Sequence, residues 1–271
     1  MKLLFSEYKS DYDNYIFPYV IWAMPEAGEK PTGLFSQGFL PSSGKLERFY
    51  MCRQVRVELS KFEPSSENRR ILRKGNDITF KVIPREQFQY TKEWQQFCKR
   101  YADHKFGSDV MSEERLKDVF NSPACSHLLT FYDENRAQDV GLVVMYLSKP
   151  EVAFYYYSFY ELDHDVKSLG MVMMTLSVQW CRNNGYRYIY LGSCYSRNAL
   201  YKTQFTGFEF WNGTEWSKNL GELKYMIKRD SGSVSSHLLE DQEYIEMFLS
   251  NRPVFRQSQS FIQSTSPFFV F

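Results

Sequence analysis

Three groups of residues in this 271-residue chain have types and spacings fit for chemistry. Arg69, Arg70, Arg73 and Lys74 lie three or four positions apart, which puts some of them on one helical face and suits a line of phosphates. Glu161, Asp163 and Asp165 crowd carboxylates into one polar loop, a group that can hold a cation or take a proton. Directly after them, Lys167-Ser168-Leu169-Gly170 opens an apolar helical run, and Tyr201-Lys202 later sets a phenol beside an ammonium. Each group also has a plainer reading. Glu67 and Asp77 would neutralise the arginines as surface ion pairs, the carboxylates would form a solvated turn, Lys167 would be a solvated surface charge, and Tyr201 would fill core.

The basic residues belong to a segment, 45–85, with 11 Lys or Arg against 5 Asp or Glu, inside a chain whose formal net charge is only +1. A local surplus of that kind points to a polyanionic partner more clearly than the overall charge does. Hydrophobic residues at 43% and charged residues at 24% exclude a disordered chain. The 23 Phe, 20 Tyr and 5 Trp promise a sizeable core and ample stacking surface. Five cysteines without a Cys-x-x-Cys pair, and four histidines far apart in sequence, speak against a disulfide framework and against a metal site. No apolar run reaches the ~18 residues a membrane crossing needs, and Leu3-Leu4-Phe5 is too short for a signal-peptide core. The expectation is a cytoplasmic protein with free buried thiols and no membrane partner.

The elements that must position these residues follow from periodicity. Residues 53–59 alternate as a half-buried strand. Pro64-Ser65-Ser66 opens a short basic helix that Gly75 ends, and Ile78–Ile83 is strand-like. Apolar spacing in 86–104 and 113–120 predicts two helices. His127–Tyr132 and Val140–Leu147 read as an antiparallel pair, and Val152–Tyr160 as an aromatic strand on which Tyr156 faces opposite to Tyr155 and Tyr157. A helix over 169–182, a buried strand over 186–191, a short helix over 197–205 and a strand over 208–211 complete the run. This order is that of the GCN5-related N-acetyltransferase fold: an α/β mixed sheet flanked by helices, here with a basic N-terminal subdomain. The division expected is an aromatic and basic part over 1–105, a catalytic domain over 106–230 and an extension over 231–271. The last stretch, from Gln257, is either a docked strand or a loose tail.

Acetyltransferases of this fold cradle the pyrophosphate of coenzyme A on a Q/R-x-x-G-x-G/A turn at a helix start. Lys167 and Gly170 fit that turn, but Val172 stands where a small residue admits phosphate, and Asp163 and Asp165 would repel a diphosphate. Gly170 would then serve helix–strand packing. A donor other than coenzyme A is implied.

An ordered series of segments resembles the arginyl-tRNA–protein transferases and the bacterial aspartate/glutamate leucyltransferases. It comprises Val55-Arg56-Val57, Phe62, Pro64 to Arg70, Arg73-Lys74, Asn76-Asp77, Phe97, Arg100-Tyr101 and His104. It continues through Tyr157 to Tyr160, Ser168-Leu169-Gly170, Tyr190-Leu191-Gly192, Tyr201-Lys202, Phe205 and Glu209. The resemblance implies an aminoacyl-tRNA as co-substrate with no further cofactor. It implies transfer of an arginyl- or leucyl-type amino acid to the N-terminal amine of a protein or peptide beginning with an acidic residue. The chain departs from the family in its N-terminal cysteines: only Cys52 stands before the basic helix, which removes a metal or cluster role there.

On that footing, Arg69, Arg70, Arg73 and Lys74 would track the acceptor-stem phosphates, which an A-form helix exposes along with its 2′-hydroxyls. Lys202 and Lys167 would grip the terminal phosphate or an acceptor carboxylate. Glu161, Asp163 and Asp165 would bind or deprotonate the acceptor amine, or equally bind the α-ammonium or cationic side chain of the donor's amino acid, and Tyr201 would protonate the leaving ribose hydroxyl. Tyr157 would stack the terminal adenine, and Lys167, Ser168 and Gly170 would line the donor turn. A coenzyme A-dependent N-acyltransferase and a non-catalytic RNA-binding protein of the same fold remain as alternative readings.

Overall fold

The structure, a computed structural model, describes residues 1–13 and 16–250; the final stretch from Gln257 lies outside them. The chain forms two units, one from 1–6 and 20–218 and a second from 7–19 and 219 onward. In the second unit a helix over Leu220–Asp230 is followed by short helical turns between Leu238 and Leu249, where the sequence pattern indicated one helix.

The first unit holds an eight-stranded sheet. Its strands are β5 (Gln54–Glu58), β6 (Ile78–Pro84), β7 (His127–Asp133), β8 (Gln138–Ser148), β9 (Val152–Tyr160), β10 (Tyr188–Ser193), β11 (Phe208–Trp211) and β12 (Trp216–Ser217). They lie in the order β12-β11-β5-β10-β9-β8-β7-β6. A smaller sheet, ordered β1-β2-β4-β3, is made of β1 (Lys2–Glu7), β2 (Tyr19–Met24), β3 (Phe39–Pro41) and β4 (Phe49–Met51). β5 therefore leaves the N-terminal region to enter the middle of the large sheet, antiparallel to both β10 and β11.

Every pair in the large sheet is antiparallel except β9 with β10. That parallel pairing lasts three positions, Tyr188↔Val152, Ile189↔Ala153 and Tyr190↔Phe154. Beyond them β9 continues along β8 to Tyr160, and β10 continues along β5 to Ser193, so a wedge opens between the two strands. Both strands bulge at the parting. Tyr156 is skipped between the pairs Val144↔Tyr157 and Met145↔Tyr155, and Leu191 is skipped between Tyr190↔Arg56 and Gly192↔Val55. A bulge bends and twists its strand, which accounts for the parting there. A mixed sheet splayed in this way between helices is the acetyltransferase-type arrangement that the element order indicated.

The bulge corrects one expectation. The skipped residue resets the alternation, so Tyr156 and Tyr157 lie on the same side, ring centroids 4.5 Å apart, while Tyr155 is buried away from them.

Five helices of this unit matter for the site: α1 (Thr32–Ser36), α2 (Ser66–Lys74), α3 (Lys92–Phe106), α4 (Glu113–Asn121) and α5 (Leu169–Asn183). α3 and α4 bury Cys98, Tyr101, Leu116 and Phe120 against Leu142, Val144 and Phe159 of the sheet. Phe35 of α1 and the small sheet cover Phe154 and Tyr190. α5 lies on the opposite face: Met173 abuts Gly141, whose neighbour Leu142 points to the α3–α4 side. α2 docks on α5 where a Cβ at Gly75 would stand 2.5 Å from Val172. Its start is secured by a capping box between Ser65 and Asn68, and at its far end the Gly75 amide donates to the Ile71 and Leu72 carbonyls.

Candidate active site

The loop between β9 and α5 is held by the turn between β7 and β8. Asp133 accepts backbone N–H bonds from Asn135 (2.8 Å) and Arg136 (3.2 Å) and meets Nε2 of the buried His164 at 2.8 Å. His164 Nδ1 accepts from the Val166 amide. Burial pushes the Asp133 carboxyl up, but the Arg136 and Asn135 amides and His164 outweigh it, and the net direction is down. Arg136 donates to Asp165 at 2.7 Å and holds its carboxyl below the usual range. Asp165 is thus an ion-pair partner, which offsets one of the two charges expected to repel a phosphate.

Glu161 and Asp163 line a cavity of about 320 Å³ with Arg100, Tyr101, Asp139 and Tyr160. The loop ends at Ser168, which adopts φ +90° at the start of α5 with no side-chain cap. A non-glycine residue in that left-handed region is strained, and such strain gathers at functional sites. Lys167 is exposed and, among the described residues, has no ion-pair partner. Gly170 has a packing role: a Cβ there would lie 2.7 Å from Cε1 and 3.1 Å from the hydroxyl of Tyr160. Val172 is fully buried, its side chain packed where a Cβ on Gly75 would stand.

That contact also sets where the basic helix stands. Arg69, Arg70, Arg73 and Lys74 are all exposed, on a helix docked one turn into α5. Arg70 is engaged by Glu67 through a bidentate pair (2.7 Å for Nε), and Arg69 donates to the Pro64 carbonyl. Arg73 and Lys74 make no ion pair among the described residues. They are the α2 cations nearest in sequence to Gly75, which packs on Val172 of α5.

Tyr201 and Lys202 stand on a 3-10 turn, Arg197–Thr203, rather than on a helix reaching Phe205. Lys202 Nζ donates to the Ser193 carbonyl at 2.8 Å, at the end of β10. Although 39% of Tyr201 stays accessible, burial and then the neighbouring Tyr160 and Cys194 push its hydroxyl up, so it remains protonated at neutral pH. Tyr157 lines a separate cavity of about 510 Å³ with Tyr156, the Ser42–Lys45 loop, Arg115 and Asp118. Glu161 and Asp163 therefore share one cavity, Tyr157 lies in another, and Tyr201 and Lys202 stand at the wedge.

Sequence reasoning missed several neighbours of this site. Tyr160 touches both Tyr101 (centroids 4.8 Å) and the α5 start; it was visible only inside a quoted motif. Arg136 had no signal in the sequence, because its partner lies 29 residues away. Cys52 and Cys194, both buried and free, flank Lys202 from different strands, and nothing in their spacing links them.

With this geometry in place, comparison with known proteins gives a consistent result. Residues 88–212 match the family described as "Arginine-tRNA-protein transferase, C terminus". The match takes in 125 of the 271 residues. Among curated relatives, the aspartate/glutamate leucyltransferase of Saccharophagus degradans is 24% identical over 172 residues, covering 61% of this chain and 70% of that protein. The one from Vibrio parahaemolyticus is 27% identical over 187 residues, covering 64% and 76%. Among solved structures, L-PGS from Bacillus licheniformis aligns at 13% identity with a TM-score of 0.44, covering 68% of this chain and 66% of that one. The transferase-family match runs from Phe88, before α3, to Asn212, after β11. Among the described residues no helix is long and apolar enough to cross a membrane.

Proposed function

We propose that this chain is an aminoacyltransferase that moves an amino acid from a charged tRNA to the N-terminal amine of a protein or peptide. The observation that carries this reading is the docking of α2 on Val172. Gly75 packs on Val172, the residue that stands where coenzyme A-binding turns keep a small one, and the cations Arg73 and Lys74, without an ion pair among the described residues, directly precede Gly75. An acceptor stem offers phosphates to such a face. The wedge between β9 and β10 is the place for the esterified 3′ end, with Ser168, Gly170 and Lys167 at its rim.

The chemistry required is modest. A neutral amine must attack an activated ester, and an N-terminal amine has a pKa of about 7.7–8.0. Tyr201 keeps its proton and can give it to the departing ribose oxygen. Glu161 and Asp163 offer negative charge to an ammonium or a cationic side chain, whereas Asp165 serves to hold the loop through Arg136. Family resemblance adds that the acceptor begins with an acidic residue and that the transferred amino acid is of the arginyl or leucyl type. The catalytic work is assigned to the cytoplasm.

The deciding experiment is incubation with total charged tRNA and a panel of N-terminal peptides, read by mass spectrometry. A mass gain of one amino acid on a peptide N-terminus is expected. Stabilisation by coenzyme A without any such transfer would overturn the reading in favour of an N-acyltransferase.

A further inference from the structure

The cavity of about 510 Å³ beside Tyr157 takes no part in the site built around the start of α5. Its volume falls within the roughly 300–1,000 Å³ of sites that hold small ligands. It lies on the face of the large sheet that carries α4, whereas α5 covers the other face. Tyr156 and Tyr157 form its wall, and Tyr156 is the residue at which β9 bulges as the wedge opens. Cavity and wedge therefore meet at one residue.

The charged groups of the lining come from two elements. Lys45 belongs to the loop between β3 and β4, and Arg115 and Asp118 stand one helical turn apart on α4. None of the three makes an ion pair among the described residues. Arg115 is nonetheless held in place, because its Nη1 donates to the Val110 carbonyl at 3.0 Å. Burial and then Tyr157 push the Tyr156 hydroxyl up, and the Arg115 charge opposes them, so that charge is felt at the bulge. The loop is placed as firmly. The Gly44 carbonyl accepts from the Ala124 amide at 3.0 Å, and a Cβ on Gly44 would stand 2.4 Å from the Cβ of Ser122, just past the end of α4. A side chain there would lift the loop off the helix, and Lys45 with it. Leu46 follows at φ +57°, a left-handed conformation uncommon outside glycine, and strain of that kind gathers at functional sites.

Two cations against one carboxylate leave the lining with one positive charge in surplus. The cations of α2 go with α5, on the other face, which leaves this cavity to the second substrate. An amino-terminal Asp or Glu suits it. Once its α-amine is neutral, such a residue carries a single negative charge, on a side chain that can meet both cations. We propose that this cavity seats the first residue of the acceptor, with Arg115 and Lys45 binding its side-chain carboxylate and thereby selecting an acidic N-terminus. The assignment rests on the aminoacyl transfer proposed above. Donor and acceptor then reach the wedge from opposite faces of the sheet, and the amine enters past Tyr156. A basic first residue meets two like charges and is turned away. Tyr157 in this arrangement borders a peptide instead of the terminal adenine.

The test measures kcat/KM for transfer from total charged tRNA to peptides that differ only in their first residue, Asp, Asn or Lys. The wild type should favour the Asp peptide. In the double variant Lys45→Gln with Arg115→Gln, the Asp-over-Asn ratio should fall by about 10- to 100-fold, the scale of lost hydrogen bonds to a charged group, while tRNA affinity holds. The double variant Lys45→Arg with Arg115→Lys keeps both charges and should keep most of the preference. A merely structural role would cost all three peptides alike. A wild type that uses the three peptides equally, or a Gln variant that loses the Asn peptide as much as the Asp one, would overturn the assignment and leave the transfer reading intact. So would a loss of tRNA affinity in the Gln variant, which would give the cavity to the 3′ end of the nucleic acid. A wild type that transfers nothing to any of the peptides would bring down both.

Discussion

At Gly170 the question is whether the residue serves a donor or a neighbour, and the contacts favour the neighbour. Its missing Cβ makes room for the Tyr160 ring. Gly170→Ala should therefore cost about 1–3 kcal/mol from overpacking, seen as a lower melting temperature. Most of that loss should vanish in a Tyr160→Val background, because the two sites share one contact; additive losses would mean that Gly170 has another task. Tyr201 makes the opposite case, a side chain left partly accessible beside the wedge with its proton held on. Tyr201→Phe should lower single-turnover rate about tenfold or more with little change in donor affinity, and an unchanged rate would remove the phenol from the mechanism. Gly170 was legible in the sequence as a glycine at a helix start, but its partner was not. Tyr160 reaches it from a strand whose register no periodicity discloses.

Elements decide how the charges divide. α2 was legible in full: Ser65 caps it, Gly75 stops it, and its four cations face solvent. The division of labour among those cations was hidden, because it depends on which rotamers meet Glu67 and Pro64. Reversing Arg73 and Lys74 should weaken tRNA binding more than reversing Arg70, whose charge Glu67 already engages, together with Arg69, whose guanidinium is tied to the Pro64 carbonyl. A binding titration checks this, and equal effects would place the phosphates elsewhere. The path of β5 was illegible for a different reason. Its alternation says strand, but an antiparallel partner 134 residues away leaves no local trace. The bulge at Tyr156 was likewise invisible, and it reversed the side on which that tyrosine sits. The loop before α5 adds a pH dependence. Because the folded Asp133 carboxyl lies below its unfolded value, its stabilisation is fully present above the unfolded pKa and is lost as pH falls through the folded one. Asp133→Asn should remove that part of the acid transition and cost about 1–3 kcal/mol at neutral pH through unsatisfied partners around His164; an unaltered acid limb in a denaturation series would contradict it.

For the molecule as a whole, a net charge of +1 leaves little long-range field, so attraction to tRNA has to come from the local surplus in residues 45–85. That surplus is smaller than its count indicates. Arg56 is buried against Glu209 and stacked between Tyr188 and Trp216, each ring centroid 3.8 Å away, which makes it a structural cation. Lys61 pairs with Glu58 and Arg70 with Glu67, pairs already netted out in that count, but they leave fewer cations free for phosphate. Few cations then remain to displace counterions, and the salt dependence must reflect that. With roughly two to four phosphates neutralised, and using the duplex-DNA coefficient as a guide, the logarithm of affinity should fall with the logarithm of salt at a slope of about −2 to −4. Binding measured between 50 and 200 mM salt tests this directly. A slope much steeper would show that the phosphate footprint extends well beyond α2. A flat line would mean that the tRNA is recognised at its 3′ end alone, and the Arg73 and Lys74 reversal would then leave transfer untouched.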